Sequence, residues 1–189
     1  MRKKTVFLAA IAVLLAAIAA VGTSLAYFTD QKTAQNTFTV GSVKIELTEP
    51  GWTDGAKLVP GVPAAKDPTV TNTGLTPCLV RVLVEWPQSA ALAYSTDGET
   101  GKLGDGWFDG GDGYFYYAQP LLPGAATDAL FDAIALSGGT ENGDGETTHA
   151  VTVTAYAMQT QGVLPEGADH IDAASLPAVQ ACFDRAFSA

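Results

Sequence analysis

The chain has 189 residues, with 10 basic against 20 acidic side chains and only two histidines and two cysteines. A net charge of −10 repels nucleic acid and anionic membrane surfaces alike, so neither is expected as a partner. Twenty glycines and ten prolines, among many Thr and Val, point to short strands joined by turns rather than to a helical bundle.

At the N-terminus Arg2, Lys3 and Lys4 precede an unbroken, alanine-rich apolar run from Val6 to Val21, and small residues follow. A basic region, an apolar region and small residues are the three parts of a secretory signal peptide. Signal peptidase accepts small side chains at its −3 and −1 sites. Ser24 and Ala26 supply them, which places the expected cut between Ala26 and Tyr27. An uncleaved anchor is the alternative, but the run at about 1.5 Å per residue spans only roughly 24 Å, short of the ~30 Å hydrocarbon core. Residues 1–26 are thus expected to be a signal peptide and 27–189 a single secreted domain. Its only membrane contact would be through the signal peptide before cleavage. Loss of Arg2, Lys3 and Lys4 leaves seven basic residues against 20 acidic ones, which deepens the negative charge.

Past the cut, residues 31–36 form a polar spacer. Phe38 and Val40, then Val43, Ile45 and Leu47 after Gly41, alternate with polar residues as in a half-buried strand. Gly41 marks a bend within it. Residues 51–68 read as a loop and Pro68–Gly74 as a strand. Cys78–Trp86 is the strongest strand of the chain, interrupted only by Arg81 and Glu85. Pro87–Gly106 reads as a loop with one helical turn near Ser89–Tyr94. Trp107–Tyr117 reads as a hairpin around Asp-Gly-Gly-Asp-Gly with aromatics pairing across it. Ala129–Leu136 and Ala150–Met158 are further strands, separated by a flexible acidic loop over 137–147. Residues 175–187 change period to three- and four-residue steps, which predicts one amphipathic helix capped by Ser175 with Pro177 in its first turn. About eight short strands with regular turn signals imply an all-β, two-sheet antiparallel sandwich with a short C-terminal amphipathic helix. An immunoglobulin-like sandwich is the runner-up, and Cys182 on a helix does not fit it.

Catalytic motifs are missing. His149 and His170 each stand alone, and no nucleophile elbow, phosphate loop or dinucleotide glycine pattern occurs. Nothing near Cys78 would lower its pKa. Asp105, Asp109 and Asp112, or Glu141, Asn142, Asp144 and Glu146, carry oxygen ligands for calcium without the spacing of an EF-hand; solvated turns are the plainer reading. No catalytic, metal or cofactor site is expected. Cys78 and Cys182 are a candidate disulfide, which would stabilise by about 4–5 kcal/mol through loop entropy. Two free thiols filling apolar gaps are the alternative.

Leu25-Ala26-Tyr27-Phe28-Thr29-Asp30, followed by Asn36-Thr37-Phe38-Thr39-Val40-Gly41-Ser42-Val43, resembles the start of TasA and camelysin-type proteins. These are exported proteins whose signal peptides are cut by a dedicated SipW-type signal peptidase. Leu58-Val59-Pro60-Gly61, Asn72-Thr73-Gly74, Val80-Arg81-Val82, the Trp107–Tyr117 string and Leu122-Pro123-Gly124 are similar to later phrases of the same family. The resemblance implies a jelly-roll-like sandwich and a secreted structural protein of the extracellular biofilm matrix. It further implies a homo-oligomeric fibre in which the N-terminal strand of one subunit, carrying Tyr27, Phe28, Phe38 and Val40, completes the sheet of the next. A carbohydrate- or surface-binding module is the alternative and would display Trp107 and Tyr114–Tyr117 in an exposed row. Camelysin-type relatives have been labelled metallopeptidases, but the residues for that label are missing here.

Overall fold

The computed structural model describes residues 42–53, 58–87, 91–136 and 150–188. Among them, in chain order, are β1 (Ile45–Thr48), β2 (Ala64–Ala65), β3 (Thr69–Asn72), β4 (Cys78–Glu85), β5 (Leu92–Thr96), β6 (Glu99–Thr100), β7 (Trp107–Asp109), β8 (Tyr114–Tyr117), β9 (Ala133–Leu136) and β10 (Thr152–Gln159), then one helix, α1 (Leu176–Phe187). All pairings are antiparallel. The strands form a sheet ordered β10-β4-β8-β7, a second ordered β2-β9-β5-β6, and the pair β1-β3. The all-β reading with a single C-terminal helix holds.

The alternation of β4 explains the layering. Cys78, Val80, Val82 and Val84 point into a core shared with Trp107, Leu130, Phe131 and Ile134, so the two four-stranded sheets face each other across it. Leu79 points the other way, into a second cluster with Tyr116, Ile171, Val179 and Phe183, which lies beneath α1. A strand covered on both faces needs an almost continuous apolar run, and β4 is buried along nearly its whole length.

A long ribbon runs through the pair β1-β3 and the second sheet. Gly61 donates its N–H to the Leu136 carbonyl, Ala64 and Ala65 pair with Ile134 and Ala133, and the Lys66 N–H reaches the Asp132 carbonyl. The ladder continues with Leu130 donating to Pro68, Thr127 to Val70, and Asn72 to Ala125. Residues 61–72 therefore run antiparallel to 125–136 over roughly 35 Å at the rise of a strand, with a one-residue shift of register between the Pro68–Leu130 and Val70–Thr127 bonds. At one end Asn72, fully buried, holds two turns. Its Nδ2 donates to the Thr76 and Leu121 carbonyls at 2.9 and 2.8 Å, and its Oδ1 accepts from the Gly74 N–H at 2.9 Å.

Three expectations need correction. The segment expected to be a loop with a helical turn contains the β5–β6 hairpin, in which Asp97 and Gly98 both have positive φ (53° and 77°). Asp-Gly is the favoured dipeptide for a two-residue hairpin turn of this kind, and Tyr94 stacks on Phe131 from β5. Ser175 is not the side-chain cap of α1: its backbone is helical and its hydroxyl makes no cap bond. Asp172 takes that role, because its Oδ1 accepts the Ser175 N–H at 2.8 Å while Ser175 Oγ accepts the Asp172 N–H at 2.9 Å. That reciprocal pair, three residues apart, is a capping box one turn earlier than the sequence suggests. Finally, Cys78 and Cys182 are both free. Cys78 faces the inter-sheet core, whereas α1 covers the opposite face of β4, so strand alternation turns the Cys78 thiol away from the helix that carries Cys182.

Candidate functional site

Edge strands present unpaired N–H and C=O groups to any passing chain, and folds blunt them by shortness, charge, proline or bulges. Here β2 and β6 have two residues each and β7 has three. β10 is different. It has eight residues, Thr-Val-Thr-Ala-Tyr-Ala-Met-Gln, with no charge and no proline. It pairs with β4 residue for residue, from Thr152↔Glu85 to Gln159↔Cys78, with no bulge. Among the described residues no strand pairs with its other side; β1 comes near but pairs with β3. Alternation sends Val153, Ala155 and Ala157 to the inter-sheet core and Tyr156 and Met158 to the layer under α1. Both faces of β10 are therefore anchored, and no described strand pairs with its outer backbone edge.

Arg81 anchors that layer. It is 2% exposed, and its guanidinium carbon lies 3.8 Å from the ring centroid of Tyr114, 4.8 Å from Phe183 and 5.5 Å from Tyr156. Nη1 donates to Asp184 Oδ1 at 2.8 Å and to the Tyr116 hydroxyl at 3.4 Å. Burial opposes the charge most strongly, but the bonds to Asp184 and Tyr116 outweigh it and hold the Arg81 pKa above its ordinary value. Tyr116 donates to Asp112 Oδ2 at 2.7 Å, and burial chiefly drives its phenol pKa upward. Nε of Arg81 finds no partner among the described residues; ring faces take that place. The sequence marked Arg81 as an interruption of an apolar run and as part of a Val-Arg-Val phrase, not as a buried cation. A lone arginine opposite Tyr114, Tyr116 and Tyr156 was the available signal.

Trp107 and Tyr116 are buried, and Tyr114, Phe115 and Tyr117 are half-buried. Trp107 packs edge-on against Tyr117 at 5.2 Å and gives its indole N–H to the Asp128 carbonyl. These aromatics are core material rather than an exposed row. Lys66 is a second buried cation that sequence reading missed; its Nζ sits 2.7 Å from Glu49 Oε1 and 4.7 Å from the Trp52 ring.

Of the site residues read from the sequence, Ser24, Ala26, Tyr27, Phe28, Phe38 and Val40 lie outside the described residues. The acidic groups at 141–146 and His149 do too. Asp109 and Asp112 each spend a carboxylate oxygen on a backbone N–H of their own turn, of Gly111 and Tyr114 respectively. His170 is exposed and meets Asp169 at 2.6 Å. Among the described residues no three His, Cys, Asp or Glu side chains come together.

A family model described as camelysin metallo-endopeptidase matches residues 1–85. No curated protein and no solved structure matches the chain. The matched stretch contains no histidine, since both histidines lie beyond it, and among the described residues no group of His, Cys, Asp or Glu fits the metal that the family's description implies.

Proposed function

We propose, from the premise that residues 1–85 are a TasA/camelysin-family sequence, that this chain is an exported structural protein of an extracellular matrix. Its residues Tyr27–Val40 act as a strand donated to the next subunit. The observation that carries the reading is β10, an eight-residue strand without charge, proline or bulge, whose outer side pairs with no strand among the described residues. Main-chain pairing to such an edge supplies affinity, and alternating side chains supply register. A head-to-tail contact of this kind does not close and so propagates as a filament.

The remaining expectations belong to the same proposal. The signal peptide ends at Ala26, a SipW-type signal peptidase is the partner during export, and the mature protein is extracellular and not an enzyme. The binding-module alternative loses support because the aromatics it needs are packed inside. The test is to secrete the full chain, weigh the product and view it by negative-stain electron microscopy. A mass starting at Tyr27 and filaments are the expected results. A mass retaining residues 1–26, or a mature protein that stays monomeric at high concentration, contradicts the reading.

A further inference from the structure

Lysine is seldom fully buried unless it is paired, and Lys66 is 3% exposed. Among the described residues its Nζ meets the Glu49 carboxylate, with Oε1 at 2.7 Å, and the face of Trp52 at 4.7 Å. An ammonium carries three donors. Yet Glu49 Oε1, itself buried, makes no hydrogen bond, so the contact is close without being aligned as one. The exposed pair Lys102–Asp97, at 2.8 Å, does have that alignment. Backbone bonds hold both members of the buried pair in place. The Trp52 N–H closes a turn on the Glu49 carbonyl, the Gly51 N–H reaches Asp67 Oδ1 at 2.7 Å, and the Lys66 N–H is fixed to the Asp132 carbonyl. Buried opposite charges whose hydrogen bonds are unmade are costly. An amide joining the same two groups carries no charge.

We propose that Lys66 and Glu49 condense into an intramolecular isopeptide bond. One proton passes from Nζ to the carboxylate, and the amine lone pair then attacks Cδ. The Nζ–Cδ bond forms, the bond from Cδ to its hydroxyl oxygen breaks, and that oxygen leaves as water with a second proton from Nζ. Nothing is oxidised or reduced, and no co-reactant is needed. Holding the two groups in contact turns the condensation into a unimolecular step. Exclusion of water around Oε1 opposes the reverse hydrolysis. The place of the bond gives it a use. Thr48↔Thr69 is the last pair of the β1–β3 ladder, and Glu49 follows it directly. A covalent tie from Glu49 to Lys66 clamps that end of the ladder and keeps β1 from peeling away from β3. The bond forms within one chain and does not depend on fibre assembly.

The test is peptide mapping of the folded full chain, denatured only when trypsin is added. Trypsin cuts after Lys44, Lys57 and Arg81, but an acylated Lys66 is no longer a cleavage site. The expected product is residues 45–57 joined to residues 58–81, lighter than their sum by one water. Fragment ions should place the link between Glu49 and Lys66 rather than at Glu46. The exposed Lys102–Asp97 pair should stay unlinked in the same digest. Lys66→Arg and Glu49→Ala should each give the full sequence mass and no linked peptide. The wild-type map decides by itself, whether or not these variants fold. Separate peptides 45–57, 58–66 and 67–81 from the wild type overturn the proposal and leave an ion pair only. A link mapped to any other pair of residues overturns it as well.

Discussion

Arg81, in the middle of β4, and Asp184, on the outer side of α1, are joined by a 2.8 Å bond although one is 2% and the other 65% exposed. The guanidinium thus spans from the sheet to the surface, with Tyr114 and Phe183 covering its faces. Its value to the fold comes mostly from filling the layer under the helix, since a partner open to water contributes little as an ion pair.

This division predicts an order of effects. Asp184→Ala should cost about 1 kcal/mol or less. Arg81→Ala should cost about 3 kcal/mol, because it empties a buried volume beneath α1. Arg81→Met, which keeps most of that volume and removes the buried charge, should fall well below Arg81→Ala. Urea midpoints of the three variants check the order; equal losses for Met and Ala would show that the charge itself holds the helix.

The Asp172–Ser175 box predicts a pH effect. The Ser175 hydroxyl, then the Ser175 N–H, holds the Asp172 carboxyl below its ordinary pKa. A depressed carboxyl stabilises the fold above its unfolded value of about 3.9, and that contribution disappears as pH falls through the folded value. The start of α1 should therefore loosen in acid below about pH 4. Asp172→Asn should remove that component of the titration. Following the Ser175 amide by NMR from pH 6 to 2 measures it, and a titration identical in the variant would contradict the assignment.

For the cysteines, burial pushes the Cys78 thiol up to about 11, while Cys182 is partly exposed. Iodoacetamide at pH 8 should modify Cys182 in the native protein and reach Cys78 only after unfolding. Melting should be unaffected by reductant. A mass two hydrogens lower than the free-thiol value, together with a reductant-sensitive melt, would restore the disulfide.

What was legible in the sequence were features carried by local pattern. β4 stood out by its β-branched run, the β7–β8 hairpin by Asp-Gly-Gly-Asp-Gly between aromatics, β10 by strict alternation, and α1 by a change of period. The β5–β6 hairpin was missed because Leu92-Ala93-Tyr94 alternates too briefly to show, although Asp97-Gly98 marked its turn. The Arg81 cage, the Lys66–Glu49 pair and the two bonds that Asn72 sends to Thr76 and Leu121 join residues from separate strands and turns. Pattern along the chain does not encode such meetings. The cysteine pairing failed for the same reason. Which face of β4 receives Cys78 depends on where the helix lands, and residue spacing is silent on that.

The most direct measurement is sedimentation velocity on two proteins: the mature chain from Tyr27, and the same chain lacking Tyr27–Asn36. Donation of this segment to the outer edge of β10 predicts a fast-sedimenting polymer for the first. For the second it predicts a folded monomer, with near-ultraviolet circular dichroism unchanged. A truncated chain that polymerises as well as the full mature one would contradict strand donation.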